Sequence, residues 1–147
     1  LDPFAYGHGP QMLPARDWAL ATDLPDAERR ALQLGWGLGA YRFGRYKAAT
    51  RAPARLVAER LEADVADVLA ACVRVRDLVN TPTQHMGPDE LEDAVCQFSE
   101  RFGARIRVVG GEDLLTENFP AIHAVGRASH RAPRLIRLDW GDAAHPH

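Results

Sequence analysis

The amino-acid sequence predicts an α/β protein, and three observations carry that prediction. Apolar residues recur at three- and four-residue steps in segments 26–41, 61–80 and 88–102, the spacing of helices with one buried face. Short runs with alternating character (17–22, 54–58, 105–109 and 134–140) separate them and read as strands. The resulting strand–helix alternation occurs twice within 147 residues, which is the pattern of mixed α/β layers.

Composition excludes several classes. With 46% hydrophobic and 26% charged residues, the chain is neither apolar-poor nor charge-rich enough for a disordered tail. No run approaches the roughly 20 apolar residues that cross a bilayer. Eighteen basic and 20 acidic residues leave a net charge of −2, which predicts neither nucleic acid nor an anionic membrane as partner. Cys72 and Cys96 both lie in apolar helical segments, as reduced thiols of a cytosolic protein do. The opening LDPFAYGHGP lacks the basic and apolar regions of a signal peptide, so the expected location is the cytoplasm.

Taken in order, residues 1–15 contain Pro3, Gly7, Gly9, Pro10 and Pro14 and read as loop. Residues 17–22 form a short strand, and Asp23 then caps a helix with Pro25 in its first turn. Ala27, Ala31, Leu34, Leu38 and Tyr41 define that helix's buried face. Gly35, Gly37 and Gly39 each cost a helix about 1 kcal/mol relative to Ala. Close approach of a neighbouring element explains such a run better than phosphate binding, since position 40, where a nucleotide fingerprint needs glycine, holds alanine.

Residues 42–55 carry Arg42, Arg45, Lys47, Arg51 and Arg55 with Tyr41, Phe43 and Tyr46 interleaved and no acid between. Two readings stand. Cations at a helix end complement its dipole, or the segment binds nucleic acid or a protein partner; the acidic balance of the chain favours the first. Residues 54–58 read as a strand. Residues 61–80 form the clearest helix, with Leu61, Val65, Val68, Leu69, Cys72, Val75 and Val79 along one face. Pro82 stops it.

Pro88 opens the next helix, Leu91, Val95, Phe98 and Phe102 mark its face, and Gly103 ends it. A strand at 105–109 follows, then a turn at Gly110-Gly111, a short helix over EDLLTENF, and a brief strand or extended link at 122–125. The last strand covers 134–140, with Ile136, Leu138 and Trp140 on its apolar side.

Catalytic motifs are missing. His-Glu-x-x-His does not occur, and Ser99 and Ser129, the only serines, stand in no nucleophile elbow. His145 and His147 could share a metal on an extended chain, but no third ligand is near in sequence. His123 and His130 read as structural. Residues 126–129 (GRAS) read as a structural turn.

Four collinear blocks carry more: GAYRFGRYK at 39–47, VRDLVNTPTQHMGPDELEDAV at 75–95, residues 112–119, and AVGRAS at 124–129 followed by APRLI at 132–136. In that order they resemble the leucine aminopeptidases, the dinuclear-metal cytosol aminopeptidase family. The block at 75–95 is similar to the family's long helix ending in R-D-L-x-N-x-P and the loop and helix after it. The resemblance implies that residues 1–60 are the later part of an N-terminal α/β domain, 61–80 an interdomain helix and 81–147 the start of a catalytic α/β domain. It implies a longer parent that uses two divalent cations (manganese, zinc or magnesium) to remove N-terminal amino acids from peptides, and that assembles as a hexamer. The family's metal ligands, one lysine and several carboxylates, lie beyond the P-R-L-I strand. Lys47, the only lysine, belongs to a different block. No catalytic, substrate-binding or metal residue is therefore expected on this chain, which by itself should be inactive scaffold or oligomer interface.

Overall fold

A computed structural model describes residues 2–58, 60–142 and 144–145. The architecture is α/β, and the chain divides into two compact units, Leu1–Asn80 and Thr81–His147.

The first unit opens with a 3-10 turn, Pro3–Tyr6, and a short helix α1, Gly9–Met12, where loop was expected. Pro3 and Pro10 explain this, since each sits in a first helical turn, where its missing N–H costs nothing. Strand β1 (Asp17–Trp18) pairs in parallel with β2 (Arg55–Leu56), both far shorter than the alternation suggested. Between them runs helix α2, Asp26–Ala40, and after them helix α3, Val65–Asn80.

Helix α2 packs against the 3-10 turn, α1 and α3. Because neighbours approach from several sides, its buried residues are Ala31, Leu32, Gln33 and Gly35, while Ala27 is exposed. The three glycines do serve close approach. A Cβ on Gly35 would strike the Pro3 carbonyl, one on Gly39 the Gly7 carbonyl, and one on Gly37 the side chain of Leu69. Asp23 is not the cap that the sequence suggested. Pro25 occupies that position, and the Asp23 carboxylate accepts from the Leu24 N–H at 3.0 Å and pairs with Arg29.

Helix α3 begins at Val65, not at 61, because the chain before it is held in another shape. Buried Gln33 donates to the Arg60 carbonyl at 2.7 Å and accepts from the Glu62 N–H at 2.9 Å. Glu62 meets Arg29 at 2.8 Å, and Asp64 meets Arg30 at 2.9 Å. Val65 is fully buried, with Ala31, Leu32 and Ala54 in the same core, but Val75 and Val79 are exposed. The apolar face is covered only along its first turns.

The second unit contains a 3-10 turn, Thr83–His85, helix α4, Pro88–Phe102, strand β3, Arg105–Gly110, helices α5, Asp113–Thr116, and α6, Pro120–Gly126, and strand β4, Arg134–Asp139. The α4 boundaries fall where Pro88 and Gly103 put them, and Gly103 holds the left-handed φ of 62° that a side chain would strain. Residues 122–125, expected to be extended, are helical. Pro120 starts this helix as well as breaking the preceding segment. Strands β3 and β4 are antiparallel, from Arg105 opposite Asp139 to Gly110 opposite Arg134. Leu114 and Val109 form the buried centre. No described helix is long and apolar enough to cross a membrane.

Candidate functional site

Two side-chain clusters account for the motifs. The first joins the end of α2 to the last turns of α3. The Tyr41 hydroxyl donates to Asp77 at 2.7 Å and accepts from Asn80 at 3.1 Å. Arg76 donates to the Leu38 carbonyl at 2.7 Å, and its guanidinium lies over the Tyr41 ring, 5.3 Å from the centroid. Leu38 is in the last turn of α2, where carbonyls lack helical partners, so Arg76 supplies the missing donor. Arg76, Asp77 and Asn80, spaced i, i+1 and i+4, all reach one target. Partial burial raises the Tyr41 pKa, Asp77 raises it further, and the Asn80 donor opposes them.

The second cluster secures the start of α4. Glu90 accepts from the Gly87 N–H at 2.8 Å and from Arg131 at 2.7 Å, while Arg131 also donates to the Gln84 carbonyl at 3.0 Å. Arg134 pairs with both Asp89 and Glu92. Burial disfavours the Arg134 charge, but the two carboxylates outweigh it and raise its pKa. Gly126 is a glycine because Pro133 packs where its Cβ would stand. Gly126, Pro133 and Arg134 belong to the AVGRAS and APRLI blocks, and their contacts here are packing and ion pairing.

The Gly87 N–H, then the N–H of Glu90 itself, hold this carboxylate below its ordinary 4.5, with Arg131 adding to them. A carboxylate lowered on folding contributes stability that is present above the unfolded value and lost as pH falls below it. The melting temperature of the second unit is expected to drop between roughly pH 5 and pH 3, and Glu90→Gln should flatten that drop. Circular dichroism melts across this range check it; equal slopes for the two proteins would refute the assignment.

The basic segment resolves toward the structural reading. Arg42 donates to the Gly39 and Tyr41 carbonyls at 3.0 and 2.7 Å, Arg51 to those of Gln11 and Leu13, and Arg55 pairs with Asp17 at 3.2 Å. Arg45 lies over Tyr46, and Lys47 is exposed. An open groove of about 900 Å³ lies at the carboxyl ends of β1 and β2, lined in part by Asp23, Asp26, Arg29 and Gln33. Of the ionic groups that line it, Arg29 meets Asp23 and Asp26, and it also reaches Glu62.

His123 faces Glu112 at 3.2 Å, and His130 is exposed. The suggested pairing of His145 with His147 involves a residue outside those described. Cys72 and Cys96 are half-buried free thiols. Among the described residues, no group of three or more histidines, cysteines and carboxylates could hold a metal. The described residues bring together no set of side chains that fits a dinuclear metal centre.

Both units have relatives. Residues 73–147 match the family model of the cytosol aminopeptidase family catalytic domain, and residues 1–59 match that of the M17 aminopeptidase N-terminal domain. A probable cytosol aminopeptidase of Corynebacterium efficiens is 32% identical over 133 residues, covering 82% of this chain and 26% of that protein. The crystal structure of the cytosol aminopeptidase from Coxiella burnetii superimposes with a TM-score of 0.87 at 37% identity, over 98% of this chain and 32% of that one. The bottromycin maturation enzyme BotP in complex with Mn gives 0.77 at 26% identity, over 96% and 33%. The chain thus spans about a quarter to a third of the length of these relatives. Two family models that meet the chain in order, and a fold shared over nearly all of it, place this chain in the M17 cytosol aminopeptidase family.

Proposed function

We propose that these residues are scaffold for a metal-dependent leucyl aminopeptidase of the cytoplasm, an enzyme that releases N-terminal amino acids from peptides. The observation that carries this reading is the likeness to the Coxiella burnetii aminopeptidase over 98% of the chain. In this reading residues 1–60 are the later part of the N-terminal domain, 61–80 the interdomain helix and 81–147 the start of the catalytic domain. Two divalent cations, manganese, zinc or magnesium, are held by polypeptide other than these residues, and no step of hydrolysis is assigned to a side chain here. The BotP complex with Mn supports manganese as one of the cations. A hexamer, built partly on surfaces of this chain, belongs to the same proposal.

A chimera tests it. The matched third of the Coxiella burnetii enzyme is replaced by these 147 residues, and release of nitroaniline from leucyl p-nitroanilide is followed with manganese. Activity within about tenfold of the parent, a barrier change of about 1.4 kcal/mol, together with loss on chelation and a hexameric mass by light scattering, is expected. Cleavage by the 147-residue chain alone, or a folded chimera without activity, would sink the reading.

A further inference from the structure

A small open cleft in the first unit holds two guanidinium groups and no carboxylate. Its volume is about 330 Å³, and it lies between α1 and the loop that leads into β2, lined in part by Gln11, Arg42, Thr50 and Arg51. Arg29, Arg30 and Arg55 of the same unit each meet an aspartate or a glutamate. Arg42 and Arg51 donate instead to backbone carbonyls, and among the described residues neither meets a carboxylate.

Those carbonyl bonds hold the two side chains in place without exhausting them. A guanidinium carries five N–H donors in one planar fork. Arg42 uses a single terminal nitrogen on the Gly39 and Tyr41 carbonyls, which leaves its Nε and its other terminal nitrogen for a ligand. Arg51 uses one bond from each terminal nitrogen to reach the Gln11 and Leu13 carbonyls, and its Nε stays available. The same lining adds further donors. Among the described residues, the Thr50 hydroxyl, the Gln11 side-chain amide and the N–H groups of residues 49–52 form no hydrogen bond.

We propose that this cleft binds the phosphate group of a small phosphorylated metabolite, with Arg42 and Arg51 as its counter-charges and Thr50 as a hydroxyl donor. A carboxylate offers two oxygens and one charge, fewer than this set of donors can use. A phosphate monoester offers three oxygens and a charge of about −2 at neutral pH, and arginine forks meet such oxygens in pairs. The volume lies near the lower end of small-ligand sites, roughly 300–1,000 Å³, and so suits a phosphate on a short organic body. A nucleic-acid duplex is a poorer occupant, because the chain carries a net charge of −2 and Asp17 already neutralises the next cation, Arg55. The inference concerns the first unit alone and stands apart from the proposed function.

Inorganic phosphate is the probe. It is titrated at low salt into the isotope-labelled 147-residue chain while the amide signals of Thr50, Arg51 and Ala52 are followed by nuclear magnetic resonance. Saturable shifts with a dissociation constant on the order of 1 mM are expected, with a melting temperature that rises as phosphate is added. Arg42→Gln should weaken binding about tenfold or more, and Arg42→Lys should restore only part of it, since a point charge replaces the fork. Thr50→Val removes a donor that bonds nothing in the fold, so its weaker binding reads the site without disturbing the chain around it. Arg45→Gln and Lys47→Gln remove neighbouring exposed charges and should leave binding within about twofold. Equal losses from those two variants, or the same shifts from acetate, would overturn the site. A short DNA duplex that moves the same signals at far lower concentration would assign the cleft to nucleic acid and overturn it too. The chimera carries the same cleft, and absence both of shifts in the chain and of an Arg42-dependent rise in the chimera's melting temperature would equally end the proposal.

Discussion

Gly39→Ala is expected to destabilise the first unit strongly, whereas Gly37→Ala, two positions away in the same helix, should leave its stability nearly unchanged. In an isolated helix both changes would be favourable by about 1 kcal/mol. What separates them is the atom each new methyl meets. At position 39 it is the carbonyl and Cα of Gly7, at position 35 the carbonyl of Pro3, and backbone cannot rotate aside. At position 37 it is the two δ-methyl groups of Leu69, which can change rotamer. Overpacking of a tight contact costs about 1–3 kcal/mol and occasionally more. The expected balance is within about 1 kcal/mol of neutral for Gly37→Ala and a loss of about 3 kcal/mol or more for Gly39→Ala. Urea denaturation followed by tryptophan fluorescence measures it, since Trp36 lies in this helix and donates to the Ala54 carbonyl. Similar midpoints for the two variants would show that backbone approach is not what the glycines provide.

In the second unit the largest single loss is expected from Leu114→Ala. Leu114 is fully buried, its α5 helix packs on β3, and its own carbonyl takes the Phe119 N–H at 2.6 Å. Removing a buried leucine side chain costs about 2–5 kcal/mol, part transfer free energy and part the cavity left behind. In a unit this small a loss of about 3 kcal/mol lowers the melting temperature by on the order of 15 °C, a large fraction of the stability such units possess. The adjacent Leu115 is 45% exposed, and Leu115→Ala should cost less than about 1 kcal/mol. Calorimetry of the two variants checks the contrast, and equal losses would place the core elsewhere.

What the residues disclose by themselves depends on how local the cause is. Pro88 and Gly103 bound α4 because capping is settled within one turn, and the glycine run announced a close neighbour because nothing else offsets its cost. The buried face of α2 was misjudged, Ala27 for Leu32 and Gln33, since periodicity assumes one neighbour and this helix has several. Residues 122–125 looked extended because a short apolar run carries no period of its own. The strands were overestimated for a related reason: alternation at 17–22 shows what could pair, and the partner for the rest is not among these elements. The roles of Arg76, Asp77 and Asn80 were hidden because their target, Tyr41, lies 35 to 39 positions earlier. Family resemblance therefore carried the functional reading, and Tyr41, Arg76, Asp77, Asn80, Glu90 and Arg134, which lie in the resembling blocks, anchor helices.

One of those anchors has a consequence for how the chain can vary. Strand β3 leaves the sheet at Gly110 and the chain returns at Arg134, so the register of the pair is fixed not by a tight turn but at the mouth of the excursion. There the Gly111 N–H donates to the Pro133 carbonyl at 2.9 Å, Pro133 rests on Gly126, and Arg134 is fastened to α4. Closing a flexible loop costs entropy that grows only with the logarithm of its length, about 0.6 kcal/mol per doubling. Insertions between α5 and α6 should thus be cheap, while the few residues at the neck stay fixed. A slip of one residue there would turn every β4 side chain to the opposite face.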